Sequence, residues 1–314
     1  MQDAIADITR ISKITVCPRC HHSLIPAKNS LRCEVCNCVF GTNRYGYLDF
    51  ILDPTLYQIE SVTEEYATIQ HECGDRLYDE YIRDYLFRER FSRVLDVGCG
   101  LGRGIVRLLE EGYDAHGVDL PNLSRFWSEV RNDPFHFFCS DAAHLPFPDD
   151  YFDTVLSLGV IEHIGTQIGH CTLASHYRKE RENYVKEILR VAKPNARILI
   201  SCPNKHFPLD IQHGPRDVLS SPSRLRSYLF KKTGLNVHPM WGRYHLLSYA
   251  ETKRLFCKNG GARTFYPQPL KGIFAFTRIR PPALRRLAAL YCDHLPRFLL
   301  STFVNPYMLT EIRK

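Results

Sequence analysis

A short apolar run leads directly into alternating glycines in Val94-Leu95-Asp96-Val97-Gly98-Cys99-Gly100-Leu101-Gly102. The run has the length and composition of a buried strand. Residues 102–111 behind it are predicted to form a helix that Gly112 can end. Glycines let a backbone turn tightly and approach a bound molecule closely, and the start of a helix can receive an anionic group. The stretch therefore predicts a strand, a ligand-binding loop and a helix in succession.

The segments that follow continue this alternation of strands and helices. Further strands are predicted at 115–119, 135–139, 152–158 and 197–202, and helices at about 122–131, 177–192 and 248–258. Strands that alternate with helices predict a parallel sheet with helices on both faces. We therefore expect an α/β fold with a doubly wound, seven-stranded Rossmann-like sheet. Its last two strands are expected at 262–266 and 272–279.

Two pairs of cysteines near the N-terminus have the spacing of a zinc ribbon. Cys17 and Cys20 are followed, after twelve residues, by Cys33 and Cys36. Two Cys-x-x-Cys turns can each offer two thiolates to one tetrahedral zinc ion, and unrelated cysteines seldom have this double spacing. Since four cysteine ligands leave no open position, the zinc is predicted to stabilise the fold. The spare candidates for the fourth ligand are Cys38 and His21.

Acidic residues end the two strands that flank the glycine loop, and this pattern resembles the class I methyltransferases that use S-adenosylmethionine (SAM). Asp96 precedes the glycines, and Asp119 ends the next strand. The resemblance, to the methyltransferase-11-like domains, covers residues 90–200 well and 248–280 loosely. The alternative, a nicotinamide-binding Rossmann domain, would have Gly-x-Gly-x-x-Gly without the strand-ending acid.

The resemblance implies a SAM site along the carboxyl edge of the sheet. The glycine loop would hold the methionine part of SAM, Asp119 the ribose hydroxyls, and Asp141 the adenine amine. The cofactor-binding residues that it implies are Asp96, Gly98, Cys99, Gly100, Gly102, Asp119, Leu120, Asp141, Ala142 and Leu158.

Glu162 and His163 follow the fourth strand, at the edge where open α/β sheets bind ligands. Methyl transfer depends largely on positioning, but an acceptor hydroxyl also needs a group near its proton. We predict that His163 is a base or an acceptor-orienting group, with Glu162 beside it. The alternative is a structural turn pair. No ligand spacing indicates a second metal site among the histidines on predicted loops, which are His170, His176, His206, His213 and His245.

The ribbon and the residues after it resemble two kinds of methyltransferase. One kind is the bacterial rRNA guanine methyltransferases, and the other modifies small-molecule or cell-surface substrates. Enzymes that methylate base amines often carry Asn/Asp-Pro-Pro-Tyr/Phe after strand four, where this chain has Ser157-Leu158-Gly159-Val160. Residues 1–50 are nearly neutral, with six Lys and Arg against four Asp and Glu, unlike an RNA-binding stripe.

These observations favour a hydroxyl or similar group of a small-molecule, glycan or lipid-linked acceptor. RNA base methylation is the alternative, and an inactive SAM-binding scaffold is a further one. The proline-containing segment 203–247 is similar to substrate lids in methyltransferases of polysaccharide or lipid-linked glycan pathways.

Positive charge is concentrated in the C-terminal third. The chain has a net charge of +7, but residues 201–314 hold 19 Lys and Arg against 5 Asp and Glu, a balance of +14. This asymmetry favours an anionic partner over a merely solvated basic face. In the tail, a helix would place Leu284, Leu287, Ala288 and Tyr291 on one face. Such a helix suits peripheral contact with anionic lipid; alternatively, the tail packs on the core or forms a dimer face.

The composition also predicts the compartment. Twelve cysteines, a polar first segment and the lack of a run of ~20 apolar residues indicate a cytoplasmic protein with reduced thiols, and the tail adds the prediction of peripheral contact at the inner face of the membrane. The expected parts are the zinc ribbon at 1–50, connecting helices at 51–90, the methyltransferase domain at 91–280 with a lid insertion at 203–247, and a basic amphipathic tail at 281–314.

Overall fold

Strands and helices alternate along most of the chain. The structure, a computed structural model, describes residues 8–58, 64–86, 93–131, 133–167, 172–210, 212–214, 223–238, 240–242, 244–271 and 279–314. Its strands are β1 (Ile25–Ala27), β2 (Ser30–Arg32), β3 (Val39–Gly41), β4 (Arg93–Val97), β5 (Asp114–Asp119), β6 (Phe137–Cys139), β7 (Phe152–Leu158), β8 (Ala192–Pro203), β9 (Leu209–Asp210), β10 (Asn236–Val237), β11 (Thr264–Pro267) and β12 (Tyr307–Arg313). Its α-helices are α1 (Glu64–Leu77), α2 (Arg83–Leu86), α3 (Arg103–Glu110), α4 (Trp127–Val130), α5 (Tyr177–Val191), α6 (Arg224–Thr233), α7 (Tyr249–Lys253) and α8 (Pro282–Asp293).

The central sheet has seven strands in the order β11-β12-β8-β7-β4-β5-β6. Strand β4 pairs in parallel with both β5 and β7, and β5 pairs in parallel with β6. The β11–β12 pair at the other side is antiparallel. The order places the glycine-loop strand β4 inside the sheet, with apolar side chains on both faces. This arrangement confirms the predicted doubly wound, seven-stranded Rossmann-like fold.

The C-terminal segment contributes a strand to this sheet. Strand β11 confirms the prediction at 262–266, whereas residues 272–278 of the other predicted strand lie outside the described residues. The antiparallel partner of β11 is β12, at 307–313. The domain boundary at 280 is therefore wrong, and so is the assignment of all of 281–314 to a tail.

The chain divides into two compact units. The first comprises Met1–Asp75, Arg90–Leu156 and Asn183–Arg197, which include the cysteine-rich segment, the glycine loop and β4 to β6. The second comprises Arg76–Glu89, Ser157–Glu182 and Ile198–Lys314, which include the insertion, β11 and β12. Among the described helices of both units, none has the length and apolar character to cross a membrane.

In the first unit, the cysteine-rich segment packs on the edge of the central sheet. Its own strands β1, β2 and β3 form a small antiparallel sheet. Directly after it, the N–H of Phe50 donates to the Cys139 carbonyl at 2.8 Å, and the N–H of Cys139 donates to the Leu48 carbonyl at 2.9 Å. Residues 48–50 thereby continue the sheet beyond β6 and cover a backbone edge that would otherwise be unpaired.

In the second unit, helix α8 leaves several apolar side chains exposed. Ala289 and Cys292 are buried, while Leu287, Leu290 and Tyr291 are exposed. The predicted helix is confirmed. On its predicted apolar face, Leu287 and Tyr291 are exposed, whereas Leu284 and Ala288 are half-buried. Exposed apolar side chains close to arginines are compatible with the predicted lipid contact, which stays a prediction.

Candidate functional site

The loop between β4 and α3 is fixed by backbone hydrogen bonds to β5. The N–H groups of Gly98 and Cys99 donate to the Val118 carbonyl at 2.8 and 3.1 Å. Gly98, Gly100 and Gly102 have φ angles of 82°, 57° and 82°. Since these values lie in the left-handed region, where side chains are strained, the alternating glycines allow the loop to turn directly at the end of the strand.

Two of these glycines are required for different reasons. A Cβ on Gly102 would stand 2.6 Å from Cε1 of Phe137, so this glycine allows α3 to begin against β6. At Gly100, the one described atom within 4 Å of an added Cβ would be Oε1 of Gln70, at 3.5 Å. Space for a ligand therefore lies beside Gly100, whereas Gly102 serves packing.

Two partly buried carboxyl groups flank this loop. The Asp119 carboxylate accepts hydrogen bonds from the N–H groups of Gly100 and Leu120, each at 2.7 Å. Burial raises the pKa of Asp119 to about 6 despite these two bonds. Burial, with the nearby charge of Asp119, raises the pKa of Asp96 to about 7. The pair suits a ligand that brings positive charge and hydroxyl donors.

Replacement of Asp96 by asparagine is expected to stabilise the unliganded protein at pH 8 by about 2 kcal/mol, or several degrees in Tm. The folded pKa of Asp96 lies above the unfolded value, about 3.9. The contribution of the Asp96 carboxyl group to the stability of the folded protein is therefore fully present below pH 4, and it is lost as the pH rises through 7. Thermal unfolding of Asp96→Asn at pH 5 and pH 8 tests this, with the exposed Asp150→Asn as control. If Asp96→Asn raises the unfolding temperature equally at both pH values, the prediction is wrong.

The residue predicted to bind adenine lies in a tight turn after β6. One carboxylate oxygen of Asp141 accepts from the Ala143 N–H at 2.9 Å, and the other lies 3.1 Å from Nδ1 of His144. Ala142 belongs to the same turn. The carboxylate thus orders its own turn, and its contact with adenine stays a prediction.

Two further cofactor candidates pack within their own units. A Cβ on Gly117 would stand 2.7 Å from Sγ of Cys99, so the Cys99 side chain packs against β5. In the second unit, Leu158 at the end of β7 lines a small apolar cavity with Tyr81, Tyr85 and Tyr307. Their roles at a cofactor stay predictions.

The four cysteines of the predicted ribbon come together. The Sγ atoms of Cys17 and Cys36 lie 3.4 Å apart, and those of Cys20 and Cys33 also lie 3.4 Å apart. Zinc–sulfur bonds of about 2.3 Å in a tetrahedron require sulfur separations of about 3.8 Å. The donor set and its dimensions therefore fit a structural zinc ion.

The residue after each cysteine pair completes the same turn. His21 and Asn37 both have left-handed φ angles, 59° and 58°. Nε2 of His21 lies 3.6 Å from Oε1 of Glu187 on α5, so this side chain contacts helix α5. Cys38 is outside the four-thiol group. Neither spare candidate replaces a member of the predicted set.

In the second unit, Glu162 and His163 belong to a larger polar cluster. Nε2 of His163 lies 3.3 Å from Nε2 of His213, and Nδ1 of His213 lies 2.9 Å from a carboxylate oxygen of Asp210. The ring of His245 is centred 4.8 Å from that of His213. Except for His163, which is partly exposed, all members are buried. Two of the five histidines that the sequence placed on separate loops, His213 and His245, therefore meet in one cluster. His176 and His206 lie outside it, and His170 lies outside the described residues.

Arg181 on α5 fixes the backbone on both sides of the cluster. Its guanidinium donates to the carbonyls of Glu162 and His245, at 3.4 and 2.5 Å. The cluster was missed because its members are up to 83 positions apart in the chain. One local signal was available, since Asp210 and His213 are three residues apart and can meet in a single turn.

The comparisons with known proteins agree with the glycine-loop geometry. Residues 95–200 match the family described as "Methyltransferase domain". Norajmaline N-methyltransferase of Rauvolfia serpentina is 27% identical over 177 residues, covering 51% of this chain and 54% of that protein. A putative 23S rRNA (guanine-N(1)-)-methyltransferase of Bacillus subtilis is 30% identical over 155 residues, covering 45% and 55%. The chain thus spans about half the length of these relatives.

A solved structure shows a weaker global likeness. The phosphoethanolamine N-methyltransferase 2 of Haemonchus contortus, with phosphomonomethylethanolamine and S-adenosylhomocysteine, has 15% identity and a TM-score of 0.48, covering 85% of this chain and 61% of that one. The fold assignment rests on the strand order. Residues 95–200 thus match the methyltransferase-domain family, and the seven-stranded sheet with its glycine loop has the Rossmann-like fold of class I, SAM-dependent methyltransferases.

Proposed function

We propose that the protein transfers a methyl group from SAM to a hydroxyl or similar group of a small-molecule, glycan or lipid-linked acceptor. The observation that carries the donor assignment is the open loop at Gly100, with Asp96 and Asp119 beside it. Bound SAM supplies a methyl group activated by a positively charged sulfur. The chain's carboxylates complement the positive charges and ribose hydroxyls of such a donor.

The carboxyl edge of β4, β5 and β6 provides the contacts to this donor. Each oxygen of Asp119 accepts one backbone hydrogen bond, which leaves a lone pair on each for a ribose hydroxyl. Asp96 would lie near the positive charge of the donor, and Asp141, which follows β6, would contact the adenine amine. The start of α3, behind Gly102, can receive the donor's carboxylate.

On the acceptor side, Glu162 and His163 are proposed to orient the reacting group. In methyl transfer to a hydroxyl, the new O–C bond forms as the S–C bond breaks, and the acceptor's proton leaves. A polar group near that oxygen both positions it and favours loss of the proton. The contact at 3.3 Å between the Nε2 atoms of His163 and His213 restrains the His163 ring, as such a role requires.

His163→Ala is expected to retain SAM affinity and lose about 100-fold or more in turnover. Calorimetry measures the affinity, and transfer of labelled methyl to the accepting fraction measures the turnover. His206→Ala is the matched control, since His206 lies in the same insertion as His213 but outside the cluster. If turnover equals that of the wild type, Glu162 and His163 are a structural turn pair and do not act on the acceptor.

Two features support a small or lipid-linked acceptor. After β7 the chain has Ser157-Leu158-Gly159-Val160, without the Pro-Pro pair frequent in enzymes that methylate base amines. The residues that follow the cysteine ribbon also take part in the fold, because the backbones of Leu48 and Phe50 are hydrogen-bonded to β6. That part of the N-terminal segment is therefore engaged in packing and is not available to contact RNA.

RNA base methylation remains the second candidate because of one observation. The Bacillus subtilis relative named for 23S rRNA guanine methylation is 30% identical over 155 residues. Purified protein incubated with methyl-labelled SAM and separate RNA, lipid and small-molecule fractions distinguishes the candidates. Label in lipid or small-molecule fractions supports our proposal, and label in RNA alone contradicts it. Binding of SAM without transfer of label to any fraction would favour the inactive SAM-binding scaffold, and failure to bind SAM would overturn all three candidates.

We also propose one structural zinc ion on Cys17, Cys20, Cys33 and Cys36. Their arrangement supports a closed tetrahedral site, and the ion would stabilise a segment too small to fold on a core of its own.

A further inference from the structure

Glu162 is a buried carboxyl group that needs a partner. Its side chain is 0% exposed, and neither oxygen has a hydrogen-bond partner within the described part of the chain. An isolated buried carboxylate is costly, so such groups pair with a cation, bind a metal or take up a proton.

The groups that face Glu162 are metal-binding side chains. One donor atom each of Glu162, His163 and His213 lies within 4.8 Å of the other two. The two Nε2 atoms are 3.3 Å apart. Nitrogen ligands at about 2.0–2.1 Å in a tetrahedron are separated by about 3.3–3.4 Å. The two histidines therefore already have the spacing of neighbouring ligands.

A second residue sets the orientation of one of these rings. Asp210 is 1% exposed, and its carboxylate lies 2.9 Å from Nδ1 of His213. It also accepts the backbone N–H groups of Gln212 and His213. With Nδ1–H donated to Asp210, the lone pair of His213 is on Nε2, the atom that faces His163. This carboxylate–histidine arrangement is the usual support of a metal-binding imidazole.

We propose that Glu162, His163 and His213 bind one divalent transition-metal ion, separate from the cysteine site. Two imidazoles and one carboxylate suit zinc, and equally iron or manganese, and leave at least one coordination position open. The guanidinium of Arg181 donates to backbone carbonyls and not to the Glu162 carboxylate, although its charge acts on that carboxylate. Glu162 and Asp210 carry two negative charges against the single positive charge of Arg181, so the cluster favours a cation.

The open position gives the ion a function. An acceptor hydroxyl bound there would lose its proton more readily, because a metal ion lowers the pKa of an oxygen ligand. This role rests on the proposed methyl transfer. Metal binding itself does not, so it can be tested without SAM or an acceptor.

Cobalt binding provides the test. The full-length protein is dialysed against a chelator until elemental analysis gives only the zinc of the cysteine site, and is then titrated with Co²⁺. We expect the protein to bind one further equivalent of Co²⁺, which gives weak visible absorption bands and no thiolate charge-transfer band. If the chelator also removes the ribbon zinc, two equivalents bind, and only one shows the thiolate band.

The variants assign the ligands. Glu162→Gln and His213→Ala should remove the equivalent without the thiolate band, and Asp210→Asn should weaken it about 10- to 100-fold. His206→Ala should bind cobalt like wild type. Circular dichroism checks folding, and Glu162→Gln, which keeps the side-chain size, decides if His213→Ala fails to fold. The proposal is overturned if wild type binds cobalt only at the cysteines, or if both ligand variants retain the second equivalent. Either result leaves the proposed methyltransferase activity untouched.

Discussion

A Cys33→Ser/Cys36→Ser double variant is expected to lose one equivalent of zinc and to unfold on the order of 10 °C below the wild-type protein. The reason is the small size of the ribbon. Strands β1, β2 and β3 are three residues each, too short to hold together by backbone pairing alone. Without metal, the four thiols no longer connect the two Cys-x-x-Cys turns. Elemental analysis and scanning calorimetry measure both effects.

Cys38→Ser is the matched control for this variant. Cys38 lies two residues after Cys36 but outside the four-thiol group, so its replacement should leave the zinc content unchanged. Full zinc content in the double variant would show that other residues hold the ion. Loss of zinc without any change in unfolding temperature would remove its proposed structural role.

Gly100→Val is expected to weaken SAM binding by about 100-fold or more, which corresponds to ~2.7 kcal/mol. The side chain would enter the space beside the loop, where an added Cβ meets only Gln70 at 3.5 Å among the described atoms. It would also strain a backbone with a φ of 57°. Titration calorimetry with SAM measures the affinity directly and needs no acceptor.

Gly112→Val separates these two effects. Gly112 has a φ of 88°, and no described atom lies within 4 Å of an added Cβ. This variant therefore carries similar backbone strain at the end of α3, away from the glycine loop. It should lose stability but bind SAM like the wild type. If the two variants bind SAM equally, the loop is not the donor site.

Local sequence patterns were sufficient for the elements around the glycine loop. The run ending at Asp96 forms β4, the helix behind it is α3, and Phe152–Leu158 is β7 as predicted. The two Cys-x-x-Cys pairs likewise meet as their spacing predicted. In each case the information lies within a few residues, so backbone preferences and apolar periodicity determine the structure directly.

Features that depend on distant partners could not be predicted in this way. Strand β12 is separated by about forty residues from its partner β11. Its apolar residues are also of the types expected in a C-terminal tail that packs on the core, so composition does not distinguish the two. The cluster around Glu162 required the insertion to bring in Asp210, His213 and His245. Neither the spacing nor the composition of those segments indicates which strand end they meet.

Residues 48–50, hydrogen-bonded to β6, have a consequence for any shortened form of the protein. The family match begins at residue 95, which invites removal of everything before it. Such a deletion would uncover the backbone of Cys139 and the ring of Phe138, against which Phe50 now packs with ring centres 6.1 Å apart. A bare apolar strand recruits strands from other molecules. The truncated domain would thus aggregate, and its inactivity would reflect insolubility rather than a missing catalytic group.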